Sequence, residues 1–528
     1  LRNLNDMQKA AMSDDVAYDI TEGLVTEVGH RMAGTPDEAR ARDWAVRRLN
    51  ALGFANVHVA PGLGNAIGHI YNAYIGKTPL VITAGQQDTR LRLREPMLSH
   101  DLVEMAKPVT KWSVEATSAD ELPHLLNRAF KVARDTPSGP VFVSLPLNVL
   151  EDETSNPPMH PSQIFRRSIP DPEGLREAAA LLASAQNPVI VCGNGITAAQ
   201  ANAELVTLAE LLGAQVYHSV LMAHANFPTG HPAFREQLPG DYAGMRRMLG
   251  QADAVLLVAG EFFEEVWYED GLPFHEDAAI IQLDVTPHQL ARNFPVRMGL
   301  TGDPKLGLIA LTQAVAAAGG TTLGSAAAVR RTANEATHEQ NIAKQQARVE
   351  SVRDNQPLHP ARLMAELAAV LPPNAIIATE AITAGTDLRR SIPRNEAQSY
   401  MGTWSGGIGQ GLPMALGVQL AHPDRPVVCV SGDGSAMYTI QTLWSAAHHK
   451  LPVIFIILSN RSYRILKLNM NIYRSRFGIG GERGYPQMDL TDPPLQFVEM
   501  AKGMGVAGRL IEKAEDFAPA FEEALRSK

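Results

Sequence analysis

The chain has 528 residues, with 47 Lys and Arg against 56 Asp and Glu, and a formal net charge of −9. That balance leaves no basic footprint for nucleic acid or an anionic membrane, and neither a signal peptide nor a run of about eighteen apolar residues is evident. A hydrophobic content of 45% over this length predicts about three globular domains, and two cysteines in apolar runs, Cys192 and Cys429, point to a reducing cytoplasm rather than a disulfide framework.

Residues 1–61 predict two amphipathic helices, Ala17 to Leu24 and Asp37 to Leu52, around the turn Ala33-Gly34-Thr35-Pro36. The phrase from Ala17 to Pro61 resembles the opening of M28-type zinc aminopeptidases. Nothing downstream continues that likeness, so a foreign segment, joined by fusion or misassembly, is expected rather than a peptidase. The chain opens on Leu1, which reads as a fragment.

From Pro61 the pattern changes. A helix bearing Asn65 and Asn72 precedes a buried strand, Leu80 to Thr83, and a helix from Ala119 to Ala133 leads to a strand from Val141 to Leu145. A Pro- and Asp-rich linker, 151–165, follows. Residues 166–316 predict a second α/β domain: helix Pro172 to Ala185, strand Pro188 to Cys192, helix Ala198 to Leu212, and strands Ala254 to Val258 and Ile280 to Leu283. Its Gly193-Asn194-Gly195 lacks the full spacing of a dinucleotide fingerprint. Residues 317–357, small and then charged, predict an exposed helical linker.

The last domain, 358–528, carries the chemistry. A strand from Ala375 to Ala378 leads into Thr379-Glu380-Ala381-Ile382-Thr383, and a Gly-rich stretch runs from Trp404 to Pro413. Val427 to Val430 predicts a buried strand broken by Gly432-Asp433-Gly434-Ser435. A helix from Ala436 to His449 follows, with Met437, Ile440, Leu443, Trp444 and Ala447 on one face, then a second buried strand, Val453 to Leu458, ending at Ser459-Asn460. Asp433 and Asn460 thus fall at the carboxyl ends of two parallel strands, where open α/β sheets bind ligands. Glycines beside Asp433 let backbone N–H groups approach phosphate, the helix start favours negative charge, and Asp433, Asn460 and the Ser462 carbonyl offer hard oxygens suited to Mg²⁺.

This constellation closely resembles the thiamine-diphosphate enzymes of the 2-keto-acid decarboxylase and acetolactate synthase superfamily, and within it the benzoylformate decarboxylases. The resemblance implies three doubly wound parallel-sheet α/β domains: an incomplete pyrimidine-binding domain at 62–150, a middle domain, and a diphosphate-binding domain. It implies Asp433, Asn460 and Ser462 as Mg²⁺ ligands, with Thr383, Gly432, Gly434 and Ser435 near the diphosphate. The Gly406 carbonyl would meet the 4′-amino group, Ile408 would wedge between the cofactor rings, and Tyr463 and Leu466 would face cofactor and substrate. His58, seven residues before Asn65, matches an active-site histidine that moves protons on the substrate. Some relatives hold FAD in the middle domain.

Departures from the pattern bear on activity. The activating glutamate of the family has no clear match; Glu38 lies near its place, and as a plain residue it is a solvated first-turn carboxylate. A second catalytic histidine is replaced by Val266, while the neighbouring His275 is expected on a surface loop. A further strand is expected beyond Lys528. The implied function is a thiamine-diphosphate- and Mg²⁺-dependent decarboxylase or carboligase of a 2-keto acid, a homodimer or homotetramer. The alternative is a non-catalytic cofactor-binding protein or an inert chimera.

Overall fold

Three sheets, each parallel throughout, carry the fold. The structure, a computed structural model, describes residues 54–157, 159, 162–262, 268–481 and 484–527. The two helices expected before residue 53, Glu38 and Val266 lie outside the described residues. The chain divides into two compact units: the described residues up to Arg166 together with Trp404–Gly407, and Arg167–Thr403 together with the chain from Ile408.

In the first unit, β1 (Phe54–Val57), β2 (Leu80–Gln86), β3 (Trp112–Glu115) and β4 (Pro140–Pro146) form a sheet of order β1-β2-β4-β3. Side chains alternate across a strand. Accordingly Ile82, Ala84 and Phe142 pack under helices Val59–Ile75 and Leu102–Ala106, while Val81, Val141 and Val143 pack under helix Leu122–Arg134. β1 pairs Phe54 with Val81, so residues 54–57, read in sequence as the end of a foreign segment, are a strand of this sheet.

The second unit holds two sheets. The middle one comprises β5 (Pro188–Cys192), β6 (Gln215–His218), β7 (Phe234–Gln237), β8 (Ala254–Val258), β9 (Ala279–Asp284) and β10 (Met298–Thr301), in the order β10-β9-β8-β5-β6-β7. Its central strands are buried on both faces, Ile190 and Leu256 to one side and Val191 and Leu257 to the other. That is why they read as continuous apolar runs. Both cysteines are free and buried.

The expected linker is helical to Ser351 and mostly exposed, and it continues a long helical stretch, Pro304–Ser351, broken at Gly320, whose φ of 51° and ψ of −148° leave the helix. Leu323, Ala327 and Asn334 are buried beyond the break, and the Arg330 Nε donates to the Leu212 carbonyl at 2.9 Å. This stretch also corrects the reading that no apolar run is long enough to span a bilayer: by length and composition it is. Its buried Leu308, Leu311 and Val315 belong to the middle-domain core.

The third sheet comprises β11 (Ile376–Glu380), β12 (Tyr400–Met401), β13 (Val427–Gly432) and β14 (Val453–Leu458), in the order β12-β11-β13-β14. From β11 the chain goes to β12 on one side and then crosses to β13 on the other. The crevice at the ends of β11 and β13 is therefore a topological switch point, where doubly wound sheets place ligands. β14, expected to be buried, is half-buried along its whole length because it is the last strand in the order.

Candidate functional site

Asp433 leaves the end of β13 and is 2% exposed. Its carboxylate accepts the N–H of Gly434 at 2.9 Å and of Arg461 at 2.6 Å. Burial pushes the carboxyl above its ordinary value of 3.8, and these backbone donors oppose the rise. Register pairs Gly432 with Leu458, so Asn460 lies two residues beyond the matching end of β14. The Asn460 Oδ1 accepts the Ser462 N–H at 2.9 Å, and the Ser462 carbonyl accepts that of Arg464 at 2.8 Å. This tight turn is completed by Arg461 at φ 56°. Each of these oxygens retains a further lone pair.

One buried carboxylate, one amide oxygen and one main-chain carbonyl form a hard-oxygen set of the kind Mg²⁺ takes together with phosphate and water. Among the described residues no group of three His, Cys, Asp or Glu is arranged to hold a metal. Phosphate and water oxygens would therefore have to complete the shell. The residues present fit a magnesium diphosphate.

The expected helix from Ala436 to His449 is two short helices, Asp433–Tyr438 and Thr442–His448. Thr439, at φ −138°, ends the first, and its hydroxyl donates to the Gly409 carbonyl at 2.7 Å. The register shift that follows buries Leu443 and Ala446 and leaves Trp444 54% exposed, stacked on His448. Six residues give the first helix little macrodipole, and the Gly434 N–H of its first turn is already engaged by the Asp433 carboxylate. Gly434 and Ser435 lie in that turn, both buried.

The other candidates of this unit lie on several elements. Thr383 is half-buried in the turn before helix Gly385–Ser391, and Ile408 is half-buried within the Gly-rich stretch. Tyr463 lays its ring over Gly434, where a Cβ would stand 2.6 Å from the Tyr463 Cε1. Leu466, on helix Arg464–Arg476, is 45% exposed. His275 is exposed, as expected.

Glu380 stands in the sequence just after a predicted strand, with no role assigned to it there. At the end of β11, paired with Ser431, it is 2% exposed. It accepts the Gly409 N–H at 2.8 Å, the Gly411 N–H at 2.7 Å and also the Gln410 N–H. Burial pushes its carboxyl up, and those donors oppose the shift.

In the first unit, His58 is exposed and precedes helix Val59–Ile75 as its N-cap residue. Asn65 is exposed on that helix and Asn72 is buried. The Asn72 Nδ2 donates to the Gly407 carbonyl at 3.1 Å, and its Oδ1 accepts the Ser405 hydroxyl. A Cβ at Gly407 would stand 2.4 Å from the Asn72 Oδ1, which is why glycine occupies this position. Gly406 has φ 76° and is exposed.

The Gly193-Asn194-Gly195 turn is a packing device. A Cβ on Gly193 would lie 2.3 Å from the Gly260 Cα, and the N–H groups of Gly193 and Gly195 are engaged by the Val258 and Ala259 carbonyls.

Comparison with known families matches residues 20–105 to the thiamine pyrophosphate enzyme N-terminal TPP binding domain, residues 175–311 to the central domain of the same enzymes, and residues 383–528 to their C-terminal TPP binding domain. The chain is 33% identical over 479 residues to benzoylformate decarboxylase of Pseudomonas aeruginosa, covering 89% of this chain and 84% of that protein. It is 25% identical over 517 residues to a probable acetolactate synthase large subunit of Methanococcus aeolicus, covering 92% and 82%. Among solved structures, benzoylformate decarboxylase from Polynucleobacter necessarius superposes with a TM-score of 0.79 at 25% identity over 96% of both chains. The thiamine diphosphate-dependent 4-hydroxybenzoylformate decarboxylase of Rhodococcus jostii RHA1 gives 0.74 at 29% identity over 97% of both.

Proposed function

The chain belongs to the thiamine pyrophosphate enzyme family, and from that membership we propose that it is a Mg²⁺-dependent, non-oxidative decarboxylase or carboligase acting on a 2-keto acid. The observation that carries this reading is the buried Asp433 carboxylate at the switch point, braced by backbone N–H groups and followed by Asn460 across the strand ends. Thiamine diphosphate, when bound, supplies a carbon nucleophile and an electron sink for loss of CO₂.

The protein's own residues do the rest. Asp433, Asn460 and the Ser462 carbonyl would hold Mg²⁺. Thr383, Gly432, Gly434 and Ser435 accommodate phosphate oxygens, with small residues allowing close backbone approach. Ile408 would hold the ring end of the cofactor, and Tyr463 and Leu466 would face cofactor and substrate. In the N-terminal unit, the Gly406 carbonyl orients the aminopyrimidine and His58 exchanges protons with the substrate. A homodimer or homotetramer is the assembly proposed with this function.

Calorimetric titration with thiamine diphosphate and Mg²⁺, paired with CO₂ release from benzoylformate, pyruvate and branched 2-keto acids, tests this. Metal-dependent binding with CO₂ release from at least one acid is expected. Binding without turnover on any acid would favour the non-catalytic reading, and absence of binding would refute the cofactor assignment.

A further inference from the structure

We infer that Glu380 is a positioning residue whose carboxylate fixes the loop that carries Ile408, and so sets the ring end of the cofactor rather than its diphosphate end; this rests on the function proposed above. Three consecutive backbone donors, those of Gly409, Gln410 and Gly411, converge on one buried carboxylate. Gly411 packs so closely that a Cβ there would stand 2.7 Å from the Glu380 Cβ. Gly409, at φ 92°, is pinned from its other side, its carbonyl accepting the Thr439 hydroxyl. The residue directly after Ile408 is thereby clamped between the end of β11 and the turn that follows Asp433–Tyr438.

A carboxylate has two oxygens and no donor, which suits three N–H groups. An amide in its place has one acceptor and turns its own N–H₂ toward a donor. Glu380 also lies at the start of helix Gly411–Ala421, where an acidic side chain commonly serves as a cap. A cap alone would change helix stability, with no preference between ligands that differ only in their rings.

The test compares two ligands on the full-length protein. Wild type and Glu380→Gln are titrated in Mg²⁺ with thiamine diphosphate and, separately, with inorganic pyrophosphate, which presents the phosphate end alone. We expect E380Q to weaken thiamine diphosphate at least tenfold and pyrophosphate less than twofold. Equal weakening of both ligands, or no weakening of either, overturns the inference. If wild type binds pyrophosphate but gains nothing from the rings, the cofactor reading fails and takes this inference with it. Should E380Q not fold, Glu380→Asp, which keeps the charge one methylene short of the loop, is held to the same criterion with a threefold difference.

Discussion

Replacing Asp433 with Asn isolates the cost of holding a carboxylate ready for a cation. The carboxylate accepts two backbone N–H groups, at 2.9 and 2.6 Å. An amide keeps one of these and loses the other, and hydrogen bonds to a charged acceptor are worth about 1.5–3 kcal/mol. Against that loss stands the burial that pushes this carboxyl upward, a cost that a neutral amide does not carry. The two effects oppose one another, so the metal-free stability of D433N should lie within about 2 kcal/mol of wild type, roughly 4–8 °C in Tm at the upper limit. Metal binding has no such compensation. Removing the charged partner of a buried ion typically costs about 3–5 kcal/mol, which corresponds to a loss of about a hundredfold or more in Mg²⁺-supported affinity. Scanning fluorimetry without metal and calorimetry with Mg²⁺ and thiamine diphosphate measure the two effects separately. A variant that binds as wild type does, or one that unfolds far below wild type before metal is added, would refute the reasoning.

Three further expectations follow from the geometry. Gly434→Ala places a methyl 2.6 Å from the Tyr463 ring, so cofactor affinity should fall about tenfold; removing the ring in the double variant G434A/Y463A should recover part of it, measured by the same titration. Gly193→Ala drives a methyl into main chain, 2.3 Å from the Gly260 Cα. It should cost about 1–3 kcal/mol by urea denaturation while leaving Mg²⁺-dependent cofactor affinity unchanged. His218 is fully buried, and burial first, then Arg394 and Arg389, holds its imidazole well below the ordinary 6.5. The unfolded chain therefore takes the proton first, so this contribution is intact above pH 6.5 and is lost as pH falls below it, by at most about 1.4 kcal/mol per pH unit. His218→Asn should flatten that slope between pH 7.5 and 5.5 in denaturant titrations, and an unchanged slope would refute the assignment.

How much of this was written in the sequence depends on the range over which each feature is held. Strands Pro188–Cys192 and Ala254–Val258 appear with the limits their apolar runs predict, because a parallel strand buried between helices must be apolar along its length. The Gly432-Asp433-Gly434-Ser435 turn and Asn460 were legible for a similar reason: strand, turn and strand are local, and the pairing of Gly432 with Leu458 follows once both strands are placed. The exposure of β14 was not legible, since its position at the end of the sheet order depends on the whole topology. The break in the helix after Asp433 was hidden as well, because the Thr439 hydroxyl bonds to Gly409, thirty residues earlier. Glu380 shows the division most plainly. Its identity and its place at a strand end belong to the sequence. Only the tertiary structure folds Gly409, Gln410 and Gly411 back onto its carboxylate, because convergence of donors on one buried charge is decided by where the chain returns and not by the spacing along it.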